Sequence, residues 1–303
     1  MPKIRVIRTT DSTAMADLAA VRQSLLLDHL ILDEPPQTKT VRDIIADVRR
    51  RGDEAVSEIT ARVDHVTIPP DQVRVPVEQI ARAQATTDPG LRAAIQKSIE
   101  AVRRFQTSIL TPEPKPVQTQ GLTLSLRVRP LRRVGVCVPG AAAPLLSSVV
   151  HSALPAQVAG VKEIAIIAPP RHNGDIHPTI LAVCGELGIT EVYRMGGAQA
   201  IAALALGTQR VPRVDKIVGP GGMYVQLAKR YLYGLVDIDM FAATTEVLVI
   251  ADRTARPAFV AADMLAQAEH NPGSAILLTD DESLVEKVIT ELDRQLAALT
   301  TGP

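Results

Sequence analysis

The chain has no tryptophan, only three phenylalanines and four tyrosines among its 303 residues. A core without large rings must be built from Val, Ile, Leu and Ala, and the stacking platforms that single-stranded nucleic acid requires are missing. Two cysteines, Cys137 and Cys184, are too few for a disulfide framework and too widely spaced for a zinc knuckle. Such usage fits a reducing cytoplasm. Charge of one sign is also lacking: 33 Lys and Arg balance 33 Asp and Glu, so no global field draws the chain to nucleic acid or to an anionic membrane. The N-terminal residues Met1-Pro-Lys-Ile-Arg-Val-Ile-Arg lack the apolar stretch of a signal peptide. No uninterrupted apolar run approaches the ~20 residues of a spanning helix.

What is present divides into three parts. The first 130 residues are rich in charge and helical in period. Asp11 to Leu27 is amphipathic, and Lys39 to Arg62 reads as one long helix with Thr40 as its cap and Ile44, Ile45, Val48, Val56 and Ile59 along one side. Asp88-Pro89 supplies a cap and a first-turn proline for a helix running to about Phe105. Thr111-Pro-Glu-Pro-Lys-Pro-Val117 reads as an extended connector.

From Arg133 short apolar strands alternate with helices. Strands are predicted at Val134–Val138, Glu163–Ala168, Glu191–Arg194 and Asp215–Val218, and helices at Ser147–Ala159, Ile176–Leu187, Ala198–Leu206 and Tyr224–Tyr233. That alternation predicts a parallel sheet covered on both faces. A shorter series follows, with strands Val247–Ala251 and Ala275–Thr279 and helices Pro257–Ala268 and Asp281 to about Leu299. Two strands do not make an independent doubly wound domain, so this half-sheet either pairs with the N-terminal segment or is incomplete.

Three strand-end loops are built from small residues: Val138-Pro-Gly-Ala-Ala-Ala, Met195-Gly-Gly-Ala-Gln199 and Val218-Gly-Pro-Gly-Gly222. Helix starts without side chains in the way seat phosphate well, although none of these turns is the Gly-x-Gly-x-x-Gly dinucleotide fingerprint. The alternative is that they are simply tight βα turns. In the last series, Gln267 and His270 stand three residues apart on one helix and share a face. They are two ligand types for one divalent metal, and a zinc site needs three or four. Read without a metal, the pair is a helix-end His and Gln bonded to neighbours.

Arg133-Val-Gly-Val-Cys-Val-Pro-Gly140, Gly196-Gly-Ala-Gln-Ala-Ile-Ala-Ala-Leu-Ala205, Val214-Asp-Lys-Ile-Val-Gly-Pro-Gly221, Ile238-Asp-Met240, Glu246-Val-Leu-Val-Ile-Ala-Asp252 and Leu265-Ala-Gln-Ala-Glu-His270 together resemble the histidinol dehydrogenase family. The match is collinear over roughly Arg127 to Leu299 and looser before that. The resemblance implies an α/β fold of two Rossmann-like three-layer units with parallel sheets, in an aldehyde-dehydrogenase-like arrangement, with a helical N-terminal segment and the second unit incomplete. Residues 131–237 are expected as an inserted nucleotide-binding-type domain. Residues 1–130 and 238–303 are expected as a discontinuous first domain carrying the metal-ligand helix.

For function, the resemblance implies NAD-dependent, two-step oxidation of L-histidinol to L-histidine, with zinc anchoring the substrate. Gln267 and His270 fall on zinc-ligand positions that also touch substrate, Thr245 on a substrate-binding serine position and Gln199 on an NAD contact. Cys137 stands where the family carries a cofactor-touching Tyr, and Gly222 where it carries an Asn. Ala141 replaces a glycine, and Ala242-Ala-Thr-Thr-Glu246 replaces Ala-Gly-Pro-Ser-Glu. The family's catalytic Glu-His pair, two further zinc ligands and the dimer-forming tail have no counterpart before Pro303. Glu269-His270 aligns with the metal-binding helix rather than with that pair, and His29, His65, His151, His172 and His177 match no family motif. Two readings follow: part of an enzyme completed by a complementing chain or a second copy, or a non-catalytic paralogue serving as a binding or assembly partner. A dehydrogenase acting on another substrate would need a base that nothing in the sequence nominates.

Overall fold

A computed structural model describes residues 4–25, 35–140, 144–241, 245–268 and 273–299. His29, Ala141, the segment 242–244, Glu269 and His270 lie outside the described residues. The chain forms two compact units, Pro36–Phe241 and Met1–Pro35 with Ala242–Pro303.

The larger unit is organised on five parallel strands, β3 (Arg133–Cys137), β4 (Glu163–Ala168), β5 (Val192–Arg194), β6 (Lys216–Val218) and β7 (Asp237–Ile238), in the order β5-β4-β3-β6-β7. All five residues of β3 are buried, as a central parallel strand requires. Side chains alternate between two cores. Cys137, Ala165 and Ile167 enter one, whereas Val134, Val136, Ile164 and Ile166 enter the other.

The first core is closed by α2 (Gln37–Arg51), α3 (Asp53–Asp64), α8 (Gly197–Leu206) and α9 (Met223–Leu232). The second is closed by α4 (Val77–Thr86), α5 (Pro89–Ser108), α6 (Leu146–Val158) and α7 (Pro178–Glu186). The helices of residues 36–108 therefore group with the sheet of residues 133–238, where a boundary near residue 130 was expected. The apolar stripes of α2 and α3 find their cover on α8, whose residues Ala198 to Ala205 are all buried.

The single helix expected from Lys39 to Arg62 is two. Gly52 interrupts it at φ +62°, its N–H closing α2 on the Val48 carbonyl at 2.8 Å. A side chain there would collide with the Gln209 amide, which accepts from the Asp53 N–H at 3.0 Å; only glycine suits both the angle and the space. Thr40 consequently lies inside α2, which begins at Gln37, and caps nothing. The cap expected at Asp88 is present, its carboxylate accepting the Leu91 N–H at 2.8 Å. Periodicity left three elements unnoticed: the hairpin β1 (Val117–Thr119) and β2 (Leu122–Leu124), helix α4, and strand β7. The exposed edge of β5 is covered by residues 73–75, with Val75 N–H to Val192 O and Arg194 N–H to Val73 O both at 2.8 Å, which blunts an otherwise free strand edge.

In the smaller unit, β8 (Glu246–Ile250) and β9 (Ser274–Leu278) pair in parallel. Helices α10 (Pro257–Ala268) and α11 (Glu282–Ala298) pack around Val260, Ala261, Leu284, Val288 and Leu292. Asp281 caps α11 by accepting the Ser283 N–H at 3.0 Å, and Arg8, beyond the N-terminal end of α1 (Ala14–Leu25), pairs with Glu282 at 2.7 Å. Val249 and Leu277 face this core, whereas Leu248, Ile250 and Leu278 are exposed. Among the described residues the unit has only these two strands.

A Cβ at Gly135 of β3 would stand 2.7 Å from the Leu204 Cδ1, which is fully buried. Gly135→Ala is expected to lower unfolding free energy by ~1–3 kcal/mol. In the double variant with Leu204→Val the losses should be less than additive, as urea denaturation would measure. Cys137 and Cys184 are both buried, and burial pushes each thiol up to about 12. Neither should react with a thiol reagent at neutral pH in the folded chain, and both should react in urea.

Candidate functional site

Ligands of open α/β sheets bind beyond the carboxyl ends of the strands, at the point where strand order reverses. Here that point lies between β3 and β6. The loops after β3, β4, β5 and β6 therefore share one end of the sheet, as expected from their small residues. The first three interlock. A Cβ on Gly140 would collide with Pro169, and one on Gly196 would stand 2.8 Å from the same ring, so these glycines answer first to loop packing.

A cavity of about 950 Å³ opens beside these loops. One wall is the start of α8 (Gly197, Ala198, Gln199) and Tyr224 of α9; the other is α2 and α3, through Asp47, Arg51, Ile59, Arg62 and Asp64. Sequence reasoning missed this second wall because it assigned the N-terminal helices to another domain. Arg171 ties α3 to the loop after β3, donating to the nearly buried Asp64 carboxylate at 2.8 Å and to the Gly140 carbonyl at 2.9 Å. Nothing in the residue pattern distinguished Arg171 from any other loop arginine. Asp47 is held down to about 2, by its hydrogen bond from Arg51 first and with Arg50 adding to it, against an opposing contribution from burial. The wall thus carries fixed charge of both signs at neutral pH.

Gln199 is 1% exposed and lines this cavity, its amide Nε2 3.5 Å from the Thr60 Oγ1. Gly197, at φ +66°, leaves room for the Gln199 amide to fold back over the helix start: a Cβ there would sit 2.7 Å from its Oε1. Gly222 is the N-cap of α9, and a Cβ added to it meets nothing within 4 Å. Cys137 ends β3 with its thiol in the core, so what it offers the sheet end is backbone. The cavity volume, the first N–H groups of α8 and α9, which have no intrahelical acceptor, and the cations Arg62 and Arg171 fit a phosphate-bearing dinucleotide.

The smaller unit places Thr245 and Gln267 together. The Gln267 Nε2 donates to the Thr245 Oγ1 at 3.0 Å and also reaches the Thr245 carbonyl. Of the two expected ligands only Gln267 is described, its amide is engaged with Thr245, and among the described residues no group of three His, Cys, Asp or Glu could hold a metal ion.

Comparison with known proteins agrees with these motifs. A histidinol dehydrogenase family model matches residues 32–302. The histidinol dehydrogenase of Rhodopirellula baltica is 50% identical over 264 residues, covering 87% of this chain and 57% of its own length. That of Moorella thermoacetica is 45% identical over 260 residues, covering 86% of this chain and 61% of its own. The crystal structure of histidinol dehydrogenase from Elizabethkingia anophelis superposes with a TM-score of 0.80 at 37% identity, over 88% of this chain and 61% of that one. The chain thus spans 57–61% of the length of these relatives. On this evidence the chain belongs to the histidinol dehydrogenase family.

Proposed function

We propose that this chain carries the dinucleotide-binding half of an NAD-dependent oxidation of L-histidinol to L-histidine in the cytoplasm, and that it does not turn histidinol over unaided. The observation that carries the first part is the cavity at the sheet end, with Gln199 folded over the start of α8 and Arg171 on its lining bonded to Asp64 of α3. Gln199, Arg171 and the first N–H groups of α8 and α9 would hold the dinucleotide. When bound, NAD accepts hydride from the alcohol carbon and then from the hydrated aldehyde. The work of this chain's residues is to hold and orient it and to exclude water.

Each hydride departure also needs a base near neutral pH to take the hydroxyl proton. On this reading no residue of the chain takes the role of the family's Glu-His pair, and Gln267 is bonded to Thr245. Substrate grip and proton transfer would then come from a complementing chain or a second copy.

A second reading, a non-catalytic paralogue, is favoured by Gly222. Open space surrounds that position and its φ is −67°, so packing does not demand glycine where the resemblance implies a cofactor-touching Asn. One substitution separates the readings. In a chain that binds NAD, Gly222→Asn should tighten binding about tenfold, through a hydrogen bond restored at a polar ligand. It should also raise stability by a few tenths of a kcal/mol as a better N-cap. Calorimetric titration of both forms measures this; no saturable NAD binding by either would establish the paralogue reading instead. In a separate assay, the purified chain with histidinol, NAD and zinc should reduce NAD no faster than the protein-free mixture. Turnover at an ordinary enzymatic rate would refute the claim that it needs completion.

A further inference from the structure

The loop from β6 into α9 is held by Asp239 and by Lys229, a residue that no sequence motif singled out. Lys229 is completely buried. Its ammonium donates to the Gly219 carbonyl at 2.6 Å and to the Asp239 Oδ1 at 2.8 Å. The other carboxylate oxygen of Asp239 accepts the Gly219 N–H at 2.7 Å, and Oδ1 also accepts the Met240 N–H at 2.7 Å. Both polar groups of Gly219 are therefore held by the two members of one ion pair.

Gly219 has φ +105°, and a side chain there would collide with the Cys137 carbonyl. The pair thus fixes a backbone conformation that only glycine tolerates, against the end of β3, at the reversal point of the sheet. One turn before Lys229 on the same helix face, Gln226 donates to the Gly221 carbonyl at 3.1 Å. Helix α9 in this way reaches back through two side chains to hold the loop that feeds its own N-terminus. A buried ammonium is costly unless paired and hydrogen-bonded. A tight βα turn alone does not call for one.

We propose that Lys229 and Asp239 are a positioning pair for ligand binding: they lock the turn 219–222 so that the first N–H groups of α9 are presented in one direction to the phosphates of a dinucleotide. This rests on the reading of the cavity as an NAD site, and it adds that the pair sets the affinity without touching the ligand. The pair acts on a loop, so disrupting it should loosen the turn before it unfolds the sheet.

The test uses the full chain with Asp239→Asn, which keeps shape and removes charge, and with Lys229→Met as the second variant. Amide hydrogen exchange in residues 219–223 without ligand is read against exchange in β4, and NAD affinity is read by calorimetry. In Asp239→Asn, exchange at the turn and the NAD dissociation constant should both rise about tenfold, the usual scale for losing a charge-assisted hydrogen bond, while β4 stays protected. Lys229→Met should do the same in the same order of events. Unchanged exchange at the turn in both variants overturns the lock, and a loosened turn with unchanged NAD affinity overturns the positioning role. If the unsubstituted chain binds no NAD, the site reading fails and this inference fails with it, while the exchange comparison still decides whether the pair locks the turn.

Discussion

A parallel sheet leaves no face for water. Its connections run over both sides, its strands are apolar throughout, and each face must be covered by helices for the backbone to be both paired and dry. That constraint explains most of the larger unit. The β-strands from Arg133 to Ile238 bring four helices of their own, α6 to α9. The remaining apolar surface draws in α2 and α3 against α8 on one side, and α4 and α5 against α7 and α6 on the other. Ala198 to Ala205 are small enough for α2 and α3 to approach closely, and Gly52 supplies the bend between them.

The same packing creates the site. Once α3 lies over the start of α8, a space opens between them at the carboxyl end of the sheet, lined by Gln199 on one side and Arg62 and Asp64 on the other. Arg171 and the Lys229–Asp239 pair then hold the loops at its margin. The cavity is thus a by-product of covering the sheet, later furnished with charge. The smaller unit presents the contrary case: among the described residues its two strands bury one face only, leaving Leu248, Ile250 and Leu278 exposed. Its Thr245–Gln267 contact joins two residues that are distant in sequence. Among the described residues, one unit thus has helices on both faces of its sheet and the other covers one face of a strand pair.

Much of this was legible in the residues. The strands Arg133–Cys137 and Glu163–Ala168 follow from short apolar runs rich in Val and Ile, and the caps at Asp88 and Asp281 from side-chain chemistry at helix starts. The break at Gly52 was not legible, because its cause is the Gln209 amide more than a hundred residues away. Hairpin β1–β2 escaped notice because its two short strands are exposed throughout, so no continuous apolar run marks them. Among candidate site residues, Gln199 stood out through its glycine turn. Lys229 did not, since a lysine in an amphipathic helix reads as solvent-facing until Asp239 and the Gly219 carbonyl are found around it.

By itself, then, the sequence determined the local conformations, the α/β class and the family, because these depend on short-range sterics, periodicity and collinear motifs. The tertiary structure alone decided which unit owns the N-terminal helices, where the cavity lies and which charges are buried. Those outcomes depend on which apolar faces meet in space, and residues distant in sequence carry no mark of meeting until the chain has folded.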